Sequence, residues 1–184
     1  MKQALAIPAA VGLIVLAFAA ASTTPQDAQI EAPFVTFGTV GHQIFSEHLT
    51  AEVHSVTLAH VVELDDWVGT TSGIWLVVDA SVGATTDSAY LQAGVTVGDT
   101  RYPASSRPDH SINGRAVDTG FSITGSFLFE LPSDILDRPG ATSAAFQIRS
   151  GLDPRLDSVI ELRLDLTTLE LRDRVTVDPS RDDQ

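Results

Sequence analysis

Four of the five histidines recur every six residues, at His42, His48, His54 and His60. Imidazole is a common ligand for zinc and copper, so the spacing raises the question of a metal site. Extended chain argues against gathering all four, because six residues span about 20 Å while zinc ligands lie within about 2.1 Å of one ion. A pair within one strand is closer. Glu52 and His54 are separated by one residue, hence share a strand face about 6.6 Å apart along the chain, and they are the metal-ligand candidates. The same alternation, Thr50, Glu52 and His54 against Leu49, Ala51 and Val53, also describes the solvated outer face of a half-buried strand.

Carboxylates gather at Glu63, Asp65 and Asp66, and again at Asp153 and Asp157. Paired acids can act as acid and base on a glycosidic bond, or hold calcium through hard oxygen ligands. Neither cluster has the D-x-[DN]-x-[DN]-G spacing of a calcium loop, and 24 Asp+Glu in 184 residues bring such neighbours together by chance. They read as solvated loop acids, with Arg155 in a loop ion pair between Asp153 and Asp157.

Nucleophile and phosphate motifs are absent: the chain has no G-x-S-x-G, H-E-x-x-H, S-x-x-K or P-loop. The run His48-Leu49-Thr50-Ala51-Glu52-Val53-His54 lacks the helix on which a zinc protease places both histidines. No Cys is present, which excludes a disulfide framework, thiolate zinc sites, iron-sulfur ligation and a Cys nucleophile. With 11 Lys+Arg against 24 Asp+Glu and a net charge of -13, the chain has no basic stripe, so nucleic acid is not an expected partner. No catalytic residue and no cofactor follow from the sequence.

The elements that must position these groups read as strands. After Pro33 the hydrophobic period is two. Ile74 to Val82 begins apolar on both faces, as a central strand covered on both sides would. Phe121, Ile123, Phe127 and Phe129 share one face around Gly125, and Ile160, Leu162, Leu164 and Leu166 share another. Gly98-Asp99 reads as a two-residue hairpin turn, and Asn113-Gly114 and Pro139-Gly140 punctuate longer connections. A single helical turn at Ser133 to Leu136, capped by Ser133, is the one helical expectation beyond residue 22. The pattern predicts an all-β fold, an antiparallel β-sandwich of about seven to eight strands, with a closed barrel as the alternative.

Residues 1–22 form a signal peptide or signal-anchor helix. No charged side chain occurs from Gln3 to Gln26, and the apolar residues 4–22 reach about 28 Å as a helix, near the thickness of a hydrocarbon core. Ala19, Ala20 and Ala21 before Ser22 would suit cleavage near Ala21. Lys2 precedes the run and no Lys or Arg follows until Arg101, which places the N-terminus inside and the domain outside. The expected location is the cell membrane, single-pass through residues 4–22, with secretion as the alternative. Residues 23–32 form a linker, residues 33–172 the sandwich domain, and residues 173–184 an acidic tail expected to be disordered.

The order of segments carries a resemblance. Gly41 leads to Leu49 through Leu58, a loop around Asp65-Asp66-Trp67, then Ile74 to Asp79, the hairpin Val95 to Tyr102, and a strand ending Phe129-Glu130-Leu131-Pro132. Over about residues 35 to 166 this resembles the telokin-like immunoglobulin-fold domains of unknown function in secreted, lipid-anchored or membrane-anchored proteins of Gram-positive bacteria, particularly actinobacteria. The resemblance implies an immunoglobulin-like sandwich and a non-enzymatic module whose partner is another envelope or membrane protein. It brings no catalytic residue. A lipid-anchoring Cys, present in many such proteins, is missing here. Trp75 is expected to fill the sandwich centre. The alternatives to an interaction module are a secreted protein binding zinc, copper or calcium and, further off, a wall-polymer hydrolase.

Overall fold

A computed structural model of the chain describes residues 33–151 and 158–183. Twelve strands are present among these residues, β1 (Phe34–Gly38), β2 (Gln43–Phe45), β3 (Leu49–Leu64), β4 (Trp67–Ala84), β5 (Ala89–Val97), β6 (Thr100–Pro103), β7 (Ala116–Val117), β8 (Ser122–Leu131), β9 (Ala144–Ser150), β10 (Ser158–Leu164), β11 (Leu171–Val177) and β12 (Arg181–Asp183). They build two sheets. Sheet A has the order β1-β10-β9-β5-β6 with β7 beside β5, and sheet B the order β11-β3-β4-β8-β12 with β2 beside β3.

The count exceeds the expected seven to eight because β2, β7 and β12, of two or three residues each, are too short to show a period, and because β11 lies mostly in the tail expected to be disordered. The sandwich is also not purely antiparallel: β1 runs parallel to β10, and β11 parallel to β3.

Alternation decides what each strand buries. On β3, Leu49, Ala51 and Val53 face inward and are buried; on β4, Ile74, Leu76, Val78, Ala80 and Val82 do the same. Phe127 and Phe129 of β8 meet Phe146 of β9 across the sandwich, with ring centroids 5.9 Å apart in both pairs. Rings in such tilted and edge-on pairs add to the burial of apolar area that holds the layers together.

Trp75 is not in this centre. Its neighbours Ile74 and Leu76 point between the sheets, so Trp75 and Val77 point to the opposite face of sheet B, where they form a second cluster with Ala59, Val62, Leu64, Leu128 and Val177. Trp67 stands edge-on to Trp75 at 5.8 Å, and the Arg107 guanidinium lies 5.5 Å from the Trp75 ring. The expectation that β4 is covered on both faces holds for this reason.

Turn chemistry follows the sequence at two places. Asp65 adopts φ 54° in the tight β3–β4 turn, and Gly98 adopts φ 58° between β5 and β6. Gly140 faces Gly98 so closely that a Cβ on Gly140 would stand 2.3 Å from the Gly98 nitrogen.

Three further expectations are corrected. The short helical segment is a 3-10 turn at Ile135–Asp137 preceded by Asp134, whose carboxylate accepts two hydrogen bonds from Arg138, and Ser133 does not cap it. Phe121 lies in the turn before β8 and is exposed, unlike Ile123, Phe127 and Phe129. The tail expected to be disordered from residue 173 forms most of β11 and all of β12. Backbone pairing to β3 and β8 holds these polar strands, assisted by an Arg174–Glu63 ion pair and by Arg115 contacts to Ser180 and Asp182.

Residues Pro33–Gln184 form one compact unit. The anchor segment 4–22 and the linker 23–32 lie outside the described residues. Among the described residues no helix is long and apolar enough to cross a membrane.

Candidate functional site

The metal-ligand candidates sit on the outer face of sheet B, and a β-bulge arranges them. Val53 pairs with Ala80 and Ser55 with Asp79, which leaves His54 as an extra residue on β3. The bulge lets Glu52, His54 and Ser55 all face outward while Val53 and Val56 stay turned to the core. Glu52 Oε1 lies 3.7 Å from His54 Nδ1, and His54 Nε2 shares a 2.8 Å hydrogen bond with Ser81 Oγ. Ser81 Oγ is in turn 2.5 Å from Thr124 Oγ1.

Glu52, Ser81 and Thr124 are direct cross-strand neighbours, so this is one polar row running over β3, β4 and β8. Gln43 and Arg181 extend it on either side. Only Glu52 and His54 were recognisable in advance. Ser81 and Thr124 lie on other strands, and their register with Glu52 depends on pairings that no local pattern encodes.

The row orders carboxylate, imidazole and hydroxyl as a base-activated serine would require. Ser81, however, is in the interior of β4 with ladder partners on both sides, so its backbone N–H belongs to the sheet rather than to an oxyanion pocket. The Glu52–His54 separation also exceeds hydrogen-bond length. As a metal site the pair lacks a third donor: among the described residues no three His, Asp or Glu side chains are placed to hold one ion.

The other histidines do not join His54. His42 contacts Thr39 Oγ1 at 3.2 Å, His48 contacts Thr86 Oγ1 at 2.8 Å, and His60 is exposed. Glu63 pairs with Arg174, and Asp65 and Asp66 form the tip of the β3–β4 hairpin. Asp153, Arg155 and Asp157 lie outside the described residues.

Beside the polar row, the C-terminal segment crosses sheet B and leaves a groove of about 300 Å³. Its floor is Ser55, Asp79 and Ser126, and Arg172 and Arg181 stand on the C-terminal side. Ser126 Oγ donates to Asp79 Oδ1 at 3.4 Å, a long bond that leaves the carboxylate able to accept from a ligand. Arg172 is engaged at the rim by Glu170 at 2.7 Å, a hydrogen bond that lowers the Glu170 pKa and raises that of Arg172. Segment 178–180 is held in place by Ser180 N–H to the His110 carbonyl at 3.2 Å and by Arg115 to Ser180 Oγ at 2.9 Å. The groove was missed in the sequence because half of it is built by the tail expected to be disordered.

No family model matches the chain, and no curated protein matches it. Among solved structures, the chain is similar to MPT63, a secreted protein from Mycobacterium tuberculosis, at 17% identity over 71% of this chain and 98% of that one, with a TM-score of 0.47. It is also similar to an uncharacterized β-sandwich protein from Clostridium difficile at 12% identity over 75% of this chain and 99% of that one, with a TM-score of 0.40.

Proposed function

We propose that this chain is a non-enzymatic extracytoplasmic β-sandwich module of the telokin-like immunoglobulin type, which mediates protein–protein interaction at the cell envelope. Residues 4–22 tether it to the cell membrane, and the sandwich lies outside the cytoplasm.

One observation carries the interaction reading. The groove on sheet B is an open surface channel whose walls offer hydroxyls, the two carboxylates of Asp79 and Asp178, and the two guanidinium groups of Arg172 and Arg181 within a small space. Such a mixture suits a segment of a partner chain, whose backbone groups and side chains of either sign can all find a complement. The acidic character of the domain as a whole favours a partner face that is neutral or basic.

Site-specific photo-cross-linking tests this. A benzophenone side chain is placed at Thr57 on the groove wall, or at Asp99 on the β5–β6 turn as a control, in the full chain in membranes of its native host. A discrete protein adduct from Thr57 and none from Asp99 is the expected result. Equal adduct yields from both positions, or none from either, would overturn the reading.

A further inference from the structure

The seam between β1 and β2 presents a surface unlike the rest of this acidic molecule. Phe34, Phe37 and Phe45 are 63%, 67% and 64% exposed, and Val40 in the connecting turn is exposed as well. Phe37 and Phe45 line one open groove of about 480 Å³, together with Ile44 and His42. Between Glu31 and Glu47 the sequence contains no Asp, Glu, Lys or Arg, although the chain carries a net charge of -13. The carboxylate opposite Phe37 in the ladder, Glu161, is covered and engaged by Gln147 and Arg163.

We propose that this seam seats on the interfacial layer of the lipid bilayer, so that the domain lies against the membrane in a fixed orientation. The proposal rests on the reading of residues 4–22 as a retained anchor. Three observations favour the bilayer as occupant. The apolar run ends at Ser22, and the patch begins at Phe34 after a polar spacer. Twelve residue steps separate Ser22 from Phe34, so at no more than about 3.6 Å per step the covalent chain keeps the patch within about 43 Å of the end of the apolar run. Contiguous exposed apolar side chains mark membrane or partner contacts, and Phe is among the residues that enter the headgroup–acyl boundary. Finally, the segment from Ala32 to Ser46 carries no charged side chain, so the patch itself brings no carboxylate to the lipid, whereas exposed charges elsewhere on this acidic domain act over about 8 Å at physiological salt.

The lack of any Cys makes a single introduced thiol a unique label. The full chain carrying Val40→Cys, labelled with an environment-sensitive fluorophore, is reconstituted into phosphatidylcholine vesicles that contain a nitroxide-bearing lipid quenching at shallow depth. Val68→Cys, at the far end of the β3–β4 hairpin, is the control. Quenching at position 40 at least threefold stronger than at position 68 is expected. In a Phe37→Ser/Phe45→Ser background it should fall to the control level while the chain still floats with the vesicles.

Floating chain with equal quenching at both positions overturns this proposal and leaves the anchor standing. So does strong quenching that survives the double substitution, because the tether alone then accounts for proximity. Chain that does not float overturns both readings. A blue shift that grows with the protein-to-lipid ratio without nitroxide quenching means that a second copy covers the seam, and it also overturns the proposal.

Discussion

Phenylalanine meets two opposite fates in this molecule. In the sandwich centre, Phe127, Phe129 and Phe146 are fully buried, while Phe34, Phe37 and Phe45 at the β1–β2 seam project into solvent. Side-chain chemistry is identical, so ladder position makes the difference. Phe127 and Phe129 lie on β8 opposite Val78 and Leu76 of the central strand β4, turned toward sheet A. Phe37 is on an edge strand and Phe45 on a three-residue strand opposite Thr50, both directed away from the core. Register and edge location, more than hydrophobicity, set which apolar groups serve stability and which are left for contact.

The largest expected effect separates these two sets. Phe127→Ala should cost about 3–5 kcal/mol, because the core cannot collapse around a missing ring. Phe37→Ser should change stability by no more than about 0.5 kcal/mol, as surface substitutions do. Urea unfolding of the full chain in mild detergent measures both. A loss above about 2 kcal/mol for Phe37→Ser would place that ring in the core and remove the contrast.

A smaller effect belongs to the polar row on sheet B. Ser81→Ala removes the hydroxyl that joins His54 to Thr124 and should cost about 1 kcal/mol, the net worth of a hydrogen bond in a partly buried setting. A double-mutant cycle with Thr124→Ala should show coupling, since the two hydroxyls share one bond. Additive losses would mean that the row is a set of independent solvated groups.

Strand identity was legible wherever a strand is long and one-sided. Leu49, Ala51 and Val53 alternate against Thr50 and Glu52, and the structure buries the first set and not the second. The Gly98-Asp99 turn was equally readable, because a positive φ there needs a residue of that kind. Three features were hidden for separable reasons. The size of Trp75 predicts burial, yet on a strand covered on both faces burial does not reveal which side is occupied. The bulge at His54 leaves no sequence mark, and it is what puts Ser55 beside the groove. β11 and β12 are polar, and their order comes from partners elsewhere in the chain, such as Glu63, Arg115 and the open edges of β3 and β8. The candidate site combines the second and third of these, so only its Glu52–His54 corner could be read in advance.

The smallest expected effect concerns the ion pair at the groove rim and sharpens the contrast between structural and solvated contacts. Hydrogen bonding from Arg172 lowers the Glu170 pKa in the folded chain. A depressed folded pKa means that the pair contributes stability above the unfolded carboxylate pKa, and that this contribution fades as pH falls through the lower, folded value. Glu170→Gln should therefore be slightly less stable than the native chain at neutral pH, and the difference should vanish in acid. Both groups are exposed, so salt should shrink the gap as well. Thermal unfolding of the two chains from neutral pH into acid, at low and high salt, gives the comparison. A gap that persists in acid would mean that Glu170 acts through packing just before β11 rather than through its charge.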